Sequence, residues 1–504
     1  MLFKNIIKKI KDQYEIISEN SKNNISDIAL KSNNTNNSTI FVCIKGFKTD
    51  GHLYLENSYK NGCRDFIIEN PDSIKSGWLH DSTIVCTSDS RKTLANVSNF
   101  LYGFPSKKIK MIGVTGTKGK TTVSTLIYLF LNTKIRSSLF TTVKNIINGI
   151  SYDTERTTME SNELNYNLKK SYLSGEKTGI VEVSSHAVTL KRIHGIEWDK
   201  GVFTSFSRDH LDLYATMDNY FNAKLDFFRA LNDSNKKNKI VFINMDDPKG
   251  KDVLSVINNS VKTIKIGSRP EYDYFINGYN LDNNKIKINL INDSKEYFLE
   301  SKMRGRFNII NIAIAAAVAL ESGINIEEIK NVLYNYRGVE GRFEIILEKP
   351  FIIIIDYAHT PLSLQNILEE AKKLTVNKLY TVFGCTGERD AEKRSIMGEV
   401  AAEISDFSFI TNDDTYNEDP YTIAKEVEKG FIKSGKINGK EYLIILERKN
   451  AVEKAINKAS DGDVIVIAGM GHEKIQFLKE GPVDYNDKET VLKILKRKKI
   501  IYNI

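Results

Sequence analysis

The sequence predicts an α/β protein of three domains. An N-terminal unit spans residues 1–104, a central P-loop mononucleotide-binding α/β domain spans 105–336, and a C-terminal, doubly wound, mostly parallel Rossmann-like sheet spans 337–504. Three observations carry this expectation. The chain has 504 residues, too many for one hydrophobic core. A glycine-rich turn, GVTGTKGKTT from Gly113 to Thr122, joins a strand-like run to an apolar helical run. Beyond residue 337, short apolar runs alternate with helical segments at the spacing of βα units.

In the first unit, Ser38–Gly46 and Cys63–Glu69 read as strands, with a helix over Leu53–Asn61 and a turn at Asp50–Gly51 between them. No residue type there is catalytic, so binding or packing is its default role. The opening run MLFKNIIKKIKDQYEII predicts an amphipathic helix and lacks a signal peptide's unbroken apolar region. The longest apolar runs, such as Phe351–Ile355, are too short to span a bilayer, so no membrane insertion is expected. Cys43, Cys63, Cys86 and Cys385 have no paired or metal-like spacing, which points to a reducing cytoplasm. Hydrophobic residues make up 41% of the chain and charged residues 27%, and the net charge of +8 is mild for this length. Lysine is interleaved with acidic residues and not gathered into arms, so no nucleic-acid surface is expected.

The central unit opens on the glycine-rich turn. A turn from strand to helix aims backbone N–H groups and the positive end of the helix dipole at one spot, which suits a polyphosphate. Lys120 would add charge at the β/γ-phosphates, and Thr121 would offer its hydroxyl to Mg²⁺. Val114 stands where the strict pattern has glycine, leaving Gly113 and Gly116 to bend the chain. Gly179–His186 (GIVEVSSH) and Val202–Asp212 (VFTSFSRDHLD) each read as a buried strand ending in polar groups. Ligands gather at the C-terminal ends of strands in open α/β sheets, so both clusters should converge on the P-loop, with Glu182 and His210 as groups for Mg²⁺. In the helical run Met217–Leu231, Tyr220, Phe227, Phe228 and Leu231 share the face of Lys224. A lysine on an apolar stripe must snorkel, pair or change chemistry. Residues 272–304 read as a small antiparallel excursion, and Met303–Leu320 as a turn into an alanine-rich helix with Asn308 as cap or ligand contact.

In the last unit, strands are expected at Phe351–Asp356, Leu379–Gly384, Phe407–Thr411, Tyr442–Leu446 and Val464–Gly469. The loops after them, DYAHTP (356–361), GCTGERDAEKR (384–394), TNDDTYNEDP (411–420) and GMGHEKIQ (469–476), carry the polar residues and should share one crevice.

These motifs, with ERTT (155–158), KRI (191–193), the Asn-Ala-Lys of 222–224, GRFNIIN and GRFE, resemble the Mur ligase family through the whole chain. The closest likeness is to the branch that adds the third amino acid to UDP-N-acetylmuramoyl-L-alanyl-D-glutamate. The resemblance implies an ATP-dependent amide bond made through an acyl phosphate, in peptidoglycan precursor synthesis. It implies that Gly116, Thr117, Lys118, Gly119, Lys120, Thr121 and Thr122 cradle the phosphates. Thr121 and Glu182 would hold one Mg²⁺ and His210 a second. Lys224 matches a lysine that CO₂ converts to N6-carboxylysine, a metal-binding anion. Thr157, Thr158, Ser184 and Arg192 match contacts to the muramoyl-peptide, and Asn308, Asn311, Arg342, Asp356 and His359 match the grip on adenine and ribose. Arg389, Gly469 and Glu473 match the amino-acid site. Ser32 and the Phe47–Gly51 loop fall where relatives bind uridine, although the usual Asp-Ser-Arg is here Lys31-Ser32-Asn33. A monomer is expected.

One departure bears on substrate choice. Relatives that add meso-diaminopimelate carry Asp-Asn-Pro-Arg where this chain has Asp413-Asp414-Thr415-Tyr416. Without that guanidinium a second carboxylate lacks its partner, whereas Asp413 and Asp414 suit a side-chain cation. Lysine, ornithine or another amino acid is therefore expected and diaminopimelate disfavoured, with Tyr416 at the arginine position. Two rival readings are a ligase for another acceptor, such as a folylpolyglutamate synthase-like enzyme, and a catalytically silent nucleotide switch. ERTT, VSSH and DYAHTP together argue against the folylpolyglutamate synthase-like form, and the presence of Lys120, Glu182, His210 and Lys224 argues against the silent switch.

Overall fold

The computed structural model describes residues 1–10, 12–46, 49–282 and 285–500. Residues 47 and 48 of the expected uridine loop lie outside the described residues.

The first sheet has five strands in the order Tyr14–Glu19, Thr83–Thr87, Asp65–Ile68, Thr39–Val42 and Asp27–Ala29. All pair in parallel except the first, which closes one edge antiparallel to Thr83–Thr87. This corrects the expected N-terminal helix: only Phe3–Ile7 is helical, and Tyr14 onward is strand. Tyr14, Ile16 and Ile17 are aromatic or β-branched, and an open sheet edge rewards such residues more than the helical period of the lysines does.

The second sheet has eleven strands. At its centre Lys200–Phe203, Lys110–Thr115 and Thr178–Glu182 lie side by side and parallel. The P-loop helix Lys120–Leu131 and the alanine-rich helix Phe307–Leu320 share one face of this sheet. The helix Met217–Asn232, which carries Lys224, packs on the other through Phe227, Phe228 and Leu231. Tyr274–Asp282, Lys285–Asn292 and Lys295–Ser301 are not a separate excursion, as the sequence suggested, but extend this same sheet from Lys262–Gly267. Their Tyr274, Ile276, Ile288 and Leu290 side chains join the core around the alanine-rich helix, whose small residues leave room for them.

The third sheet has six strands in the order Glu344–Leu347, Ile352–Asp356, Val464–Ala468, Leu379–Phe383, Phe407–Ile410 and Tyr442–Ile444. All five expected strands form and pair in parallel, and Glu344–Leu347 adds an antiparallel edge. Val464–Ala468 sits between Ile352–Asp356 and Leu379–Phe383, so the strand order reverses there and opens a crevice at the strands' C-terminal ends. A hairpin of Ile475–Leu478 and Gly481–Asp484, not foreseen from sequence, lies against the loop after Phe407–Ile410. Among the described residues no helix is long and apolar enough to cross a membrane.

Candidate active site

The P-loop leaves the middle of the second sheet between two strands that deliver polar ends beside it. Gly119, at the helix N-cap, has φ +83, and a Cβ there would lie 2.5 Å from the Asn311 side-chain oxygen. Only glycine meets both demands. Thr117 N–H donates to the Ser205 carbonyl, and Lys118 N–H donates to Ser205 Oγ. The turn is thus stitched to the segment that follows Lys200–Phe203.

Glu182, at the end of its strand and 2% exposed, accepts hydrogen bonds from Thr121 Oγ1 at 3.0 Å and from Thr142 N–H at 3.1 Å. Lys120 Nζ lies 4.0 Å from its other oxygen and donates to the Thr117 carbonyl. Burial lowers the Lys120 ammonium from its usual range, against the pull of Glu182 and Asp209, and pushes Lys118 down to about 8. Asp209 is held far below the usual carboxylate range because His210, Lys118, His359 and Lys393 outweigh the cost of its burial. His210 sits at φ 54, with its ring 4.6 Å from that of His186, and burial pushes it down to about 4.

Lys224 does not snorkel. It is 1% exposed, its Nζ donates to the Gly116 carbonyl at 2.8 Å, and the nitrogen lies 4.6 Å from the Tyr220 ring centre. Burial, then Lys120, holds it well below the usual lysine range. A lone buried amine directly under a phosphate loop favours its neutral form.

A cavity of about 1000 Å³ joins these groups to the C-terminal crevice. Lys120, Thr157, Ser184, Arg192, His210, His359, Arg389, Asp413, Asp414, Tyr416, Gly469 and Glu473 all line it. Thr158 lies behind the wall, donating to the Glu182 carbonyl at 2.7 Å, and Arg192 donates to the Thr158 carbonyl. Ser184 caps the short helix Ser185–Thr189.

On the nucleotide side, Asp356 accepts from Phe343 N–H, Arg342 lies 4.4 Å over the Tyr357 ring, and His359 Nδ1 is 2.7 Å from the Tyr357 carbonyl. Asn308 is not the helix cap, which is Arg306; it donates to the Arg304 carbonyl and accepts from Asn311. Ser32 stands apart from the cavity, where its hydroxyl accepts from Asn57. It is next to Lys31, 3.8 Å from Glu155 on the cavity rim.

At the far end three carboxylates gather. Asp414 accepts from Phe477 N–H, and burial together with Asp413 pushes it up to about 6. Glu473 accepts from the Tyr357 hydroxyl at 3.0 Å, and burial, Asp413 and Asp414 push it up to about 8. Asp413 Oδ1 accepts from Asp414 N–H, while its buried Oδ2 has no hydrogen-bond partner among the described residues. Gly469 (φ +115) makes room for that oxygen, since a Cβ there would lie 2.6 Å from it. Arg389 interacts with the Tyr416 phenol, whose ring stacks on Phe477 at 5.7 Å.

Sequence reasoning did not single out Tyr357, Lys393, His472 or Phe477, all of which line the cavity. Tyr357, Lys393 and His472 lie inside quoted motifs, the one signal for them; Phe477 gave none.

Among the described residues no cluster of three or more His, Cys, Asp or Glu side chains is arranged to hold a metal. A hydroxyl and a carboxylate beside a phosphate cradle nevertheless fit Mg²⁺, which takes its other ligands from phosphate and water.

Residues 114–319 match the Mur ligase middle domain and residues 341–471 the Mur ligase glutamate ligase domain. The chain is 36% identical to the UDP-N-acetylmuramoyl-L-alanyl-D-glutamate–2,6-diaminopimelate ligase of Clostridium perfringens, covering 99% of this chain and 100% of that protein. It is also 36% identical to the Clostridium botulinum protein of the same description, over 96% and 98% of the two chains. A solved structure of such a ligase superposes with a TM-score of 0.62 at 26% identity, over 94% and 95% of the chains. The Thermotoga maritima MurF ligase in complex with ADP shares the fold, with a TM-score of 0.64 at 20% identity over 94% and 97%. With a phosphate cradle facing a carboxylate-lined crevice across one cavity, and with relatives matched end to end, the chain belongs to the Mur ligase family of ATP-dependent acid–amino-acid ligases.

Proposed function

We propose that this protein uses ATP to join the D-glutamyl γ-carboxylate of UDP-N-acetylmuramoyl-L-alanyl-D-glutamate to the amine of a third amino acid. The observation that carries this reading is one cavity walled by Lys120 at one end and by Asp413, Asp414 and Glu473 at the other. The first 104 residues hold the uridine end, with Ser32 among the contacts, residues 105–336 hold ATP, and residues 337–504 hold the amino acid. The enzyme works as a cytoplasmic monomer and needs neither nucleic acid nor membrane.

The acceptor carboxylate attacks the ATP γ-phosphate and releases ADP, and the amine then displaces phosphate from the acyl phosphate. Carboxylate and triphosphate repel one another, so positive charge must lie between them. Lys120 supplies it at the β/γ-phosphates, and the loop N–H groups from Gly116 to Thr122 orient the chain. Thr121 and Glu182, with His210 opposite, would hold the Mg²⁺ ions, whose contribution is to polarise the γ-phosphate. Lys224 is the site of carbamylation by CO₂. Its buried amine, held well below the usual lysine range, supports this, because only an unprotonated amine can attack CO₂. Carbamylation joins CO₂ to Nζ with loss of a proton and turns the amine into an anionic group that would help to hold Mg²⁺. Thr157, Thr158, Ser184 and Arg192 position the peptide. Asn308, Asn311, Arg342, Asp356 and His359 hold the nucleoside.

The amino acid is one with a side-chain cation, lysine or ornithine. Three carboxylates and an aromatic pair support this choice, and the 413–416 stretch carries no guanidinium. Arg389 takes the α-carboxylate. The relatives' description favours 2,6-diaminopimelate as the second reading, which would need another cavity cation, such as Lys474, for the distal carboxylate. Phosphate release should require both the UDP-muramoyl-dipeptide and an amino acid, and lysine or ornithine should give the highest kcat/KM in a panel. Fastest turnover with diaminopimelate would select the second reading, and release without the dipeptide would reject the ligase assignment.

A further inference from the structure

His472 joins the two ends of the cavity. It precedes Glu473, a wall of the carboxylate pocket, in a loop of the third sheet. Its Nε2 lies 3.2 Å from the Thr142 carbonyl, a residue 330 positions away in the second sheet's territory. A carbonyl only accepts, so Nε2 carries the proton and donates, and the bare Nδ1 is buried without a partner among the described residues. Burial and Arg342 push the ring down to about 3, so it stays neutral and keeps this tautomer through the physiological range.

Thr142 is gripped from both sides. Its carbonyl takes the His472 hydrogen, and its N–H donates to Glu182 Oε2, the oxygen that also accepts from Thr121. Its hydroxyl donates to Thr157 Oγ1 at 3.1 Å. One residue therefore lies between the amino-acid loop and the carboxylate beside the phosphate cradle. The neighbouring contact, Lys474 with Asp153 at 2.8 Å, has both partners largely exposed and adds little.

We propose that His472 is a positioning residue: by holding Thr142 it sets the aim of Glu182, so that the phosphate end is assembled only when the amino-acid unit is docked. This rests on the role of Glu182 given above. The side chain touches neither nucleotide nor amino acid in this role, and its effect belongs to kcat more than to amino-acid KM.

The test compares His472→Ala with His472→Gln, whose amide nitrogen can take the place of Nε2 as a donor. Hydrogen exchange is followed in the ligand-free protein on the peptide containing Thr142, beside kcat and KM. In His472→Ala, exchange at Thr142 should speed up and kcat fall about tenfold or more, with amino-acid KM changed about threefold or less. His472→Gln should recover most of both, which separates the hydrogen bond from loss of ring packing or failed folding. Unchanged exchange at Thr142 in His472→Ala, a rise in KM at constant kcat, or Gln no better than Ala would each overturn the proposal. Wild-type turnover in Glu182→Gln would instead remove the assigned role of Glu182, leaving the exchange result to report on the contact itself.

Discussion

The two ends of the cavity are electrostatic opposites built by the same device. At the phosphate end, burial lowers Lys120 and Lys224 and pushes Lys118 down to about 8. At the amino-acid end, burial and mutual repulsion push Asp414 up to about 6 and Glu473 up to about 8. The lysines at one end and the carboxylates at the other are thus pushed by burial toward their neutral forms, although Glu182 and Asp209 stand among the lysines and Arg389 lies near the carboxylates. An arriving triphosphate favours the charged form of the lysines, and an arriving ammonium favours the charged form of the carboxylates. The ends differ in construction. The cradle comes largely from one contiguous stretch, whereas the carboxylate pocket comes from two loops far apart in the chain, 411–420 and 469–476.

The sharpest break falls on the cradle. Lys120→Ala should lower kcat by about 10³-fold, because it removes the charge placed at the β/γ-phosphates. Steady-state phosphate release measures it, and wild-type turnover would dissolve the P-loop assignment. Lys224→Ala should fall by about 10²-fold or more, with part of the activity returned by a small carboxylic acid that supplies the missing anion. Absence of rescue together with an unmodified Lys224 in active protein would leave the lysine as a purely structural donor to Gly116.

The contrast in construction also explains what was legible in the sequence. Strand, glycines, lysine and threonine stand in one run between 108 and 131, so local order alone marks the phosphate site. The convergence of Glu182 and His210 followed from strand ends, because Thr178–Glu182 and Lys200–Phe203 flank the P-loop strand. Lys224 could be flagged by its apolar face, but not its aim, since Gly116 is 108 residues away. The His472 contact spans 330 positions and leaves no local trace. The hairpin strands have four residues each, too few for periodicity to show, and with them Phe477 went unseen. The N-terminal strand was missed because edge pairing overrode a lysine-rich helical pattern.

The mildest test bears on the other end of the comparison. Glu473→Gln should raise KM for a cationic amino acid about 10- to 100-fold, the worth of a charged hydrogen bond, and leave KM for ATP nearly unchanged. In the wild type that KM should fall as pH rises from about 6 to about 8, as Asp414 and then Glu473 ionise, and the variant should lose the upper part of this fall. The ligand-free protein should show the opposite face of the same charge. Glu473 titrates near 8 when folded, above its ordinary value of 4.5, so the folded state binds the extra proton between those limits. Its contribution to stability is full below 4.5 and is lost as pH rises through about 8. Glutamine cannot ionise and escapes that loss. The variant should therefore be the more stable form at pH ~9, by on the order of 1 kcal/mol after screening by the open cavity, and no more stable than wild type at pH ~5. Thermal midpoints at the two pH values decide it. A gain of equal size at both would trace to packing, and a loss at high pH would mean that the carboxylate is already paired, so the pocket would not be waiting for a cation.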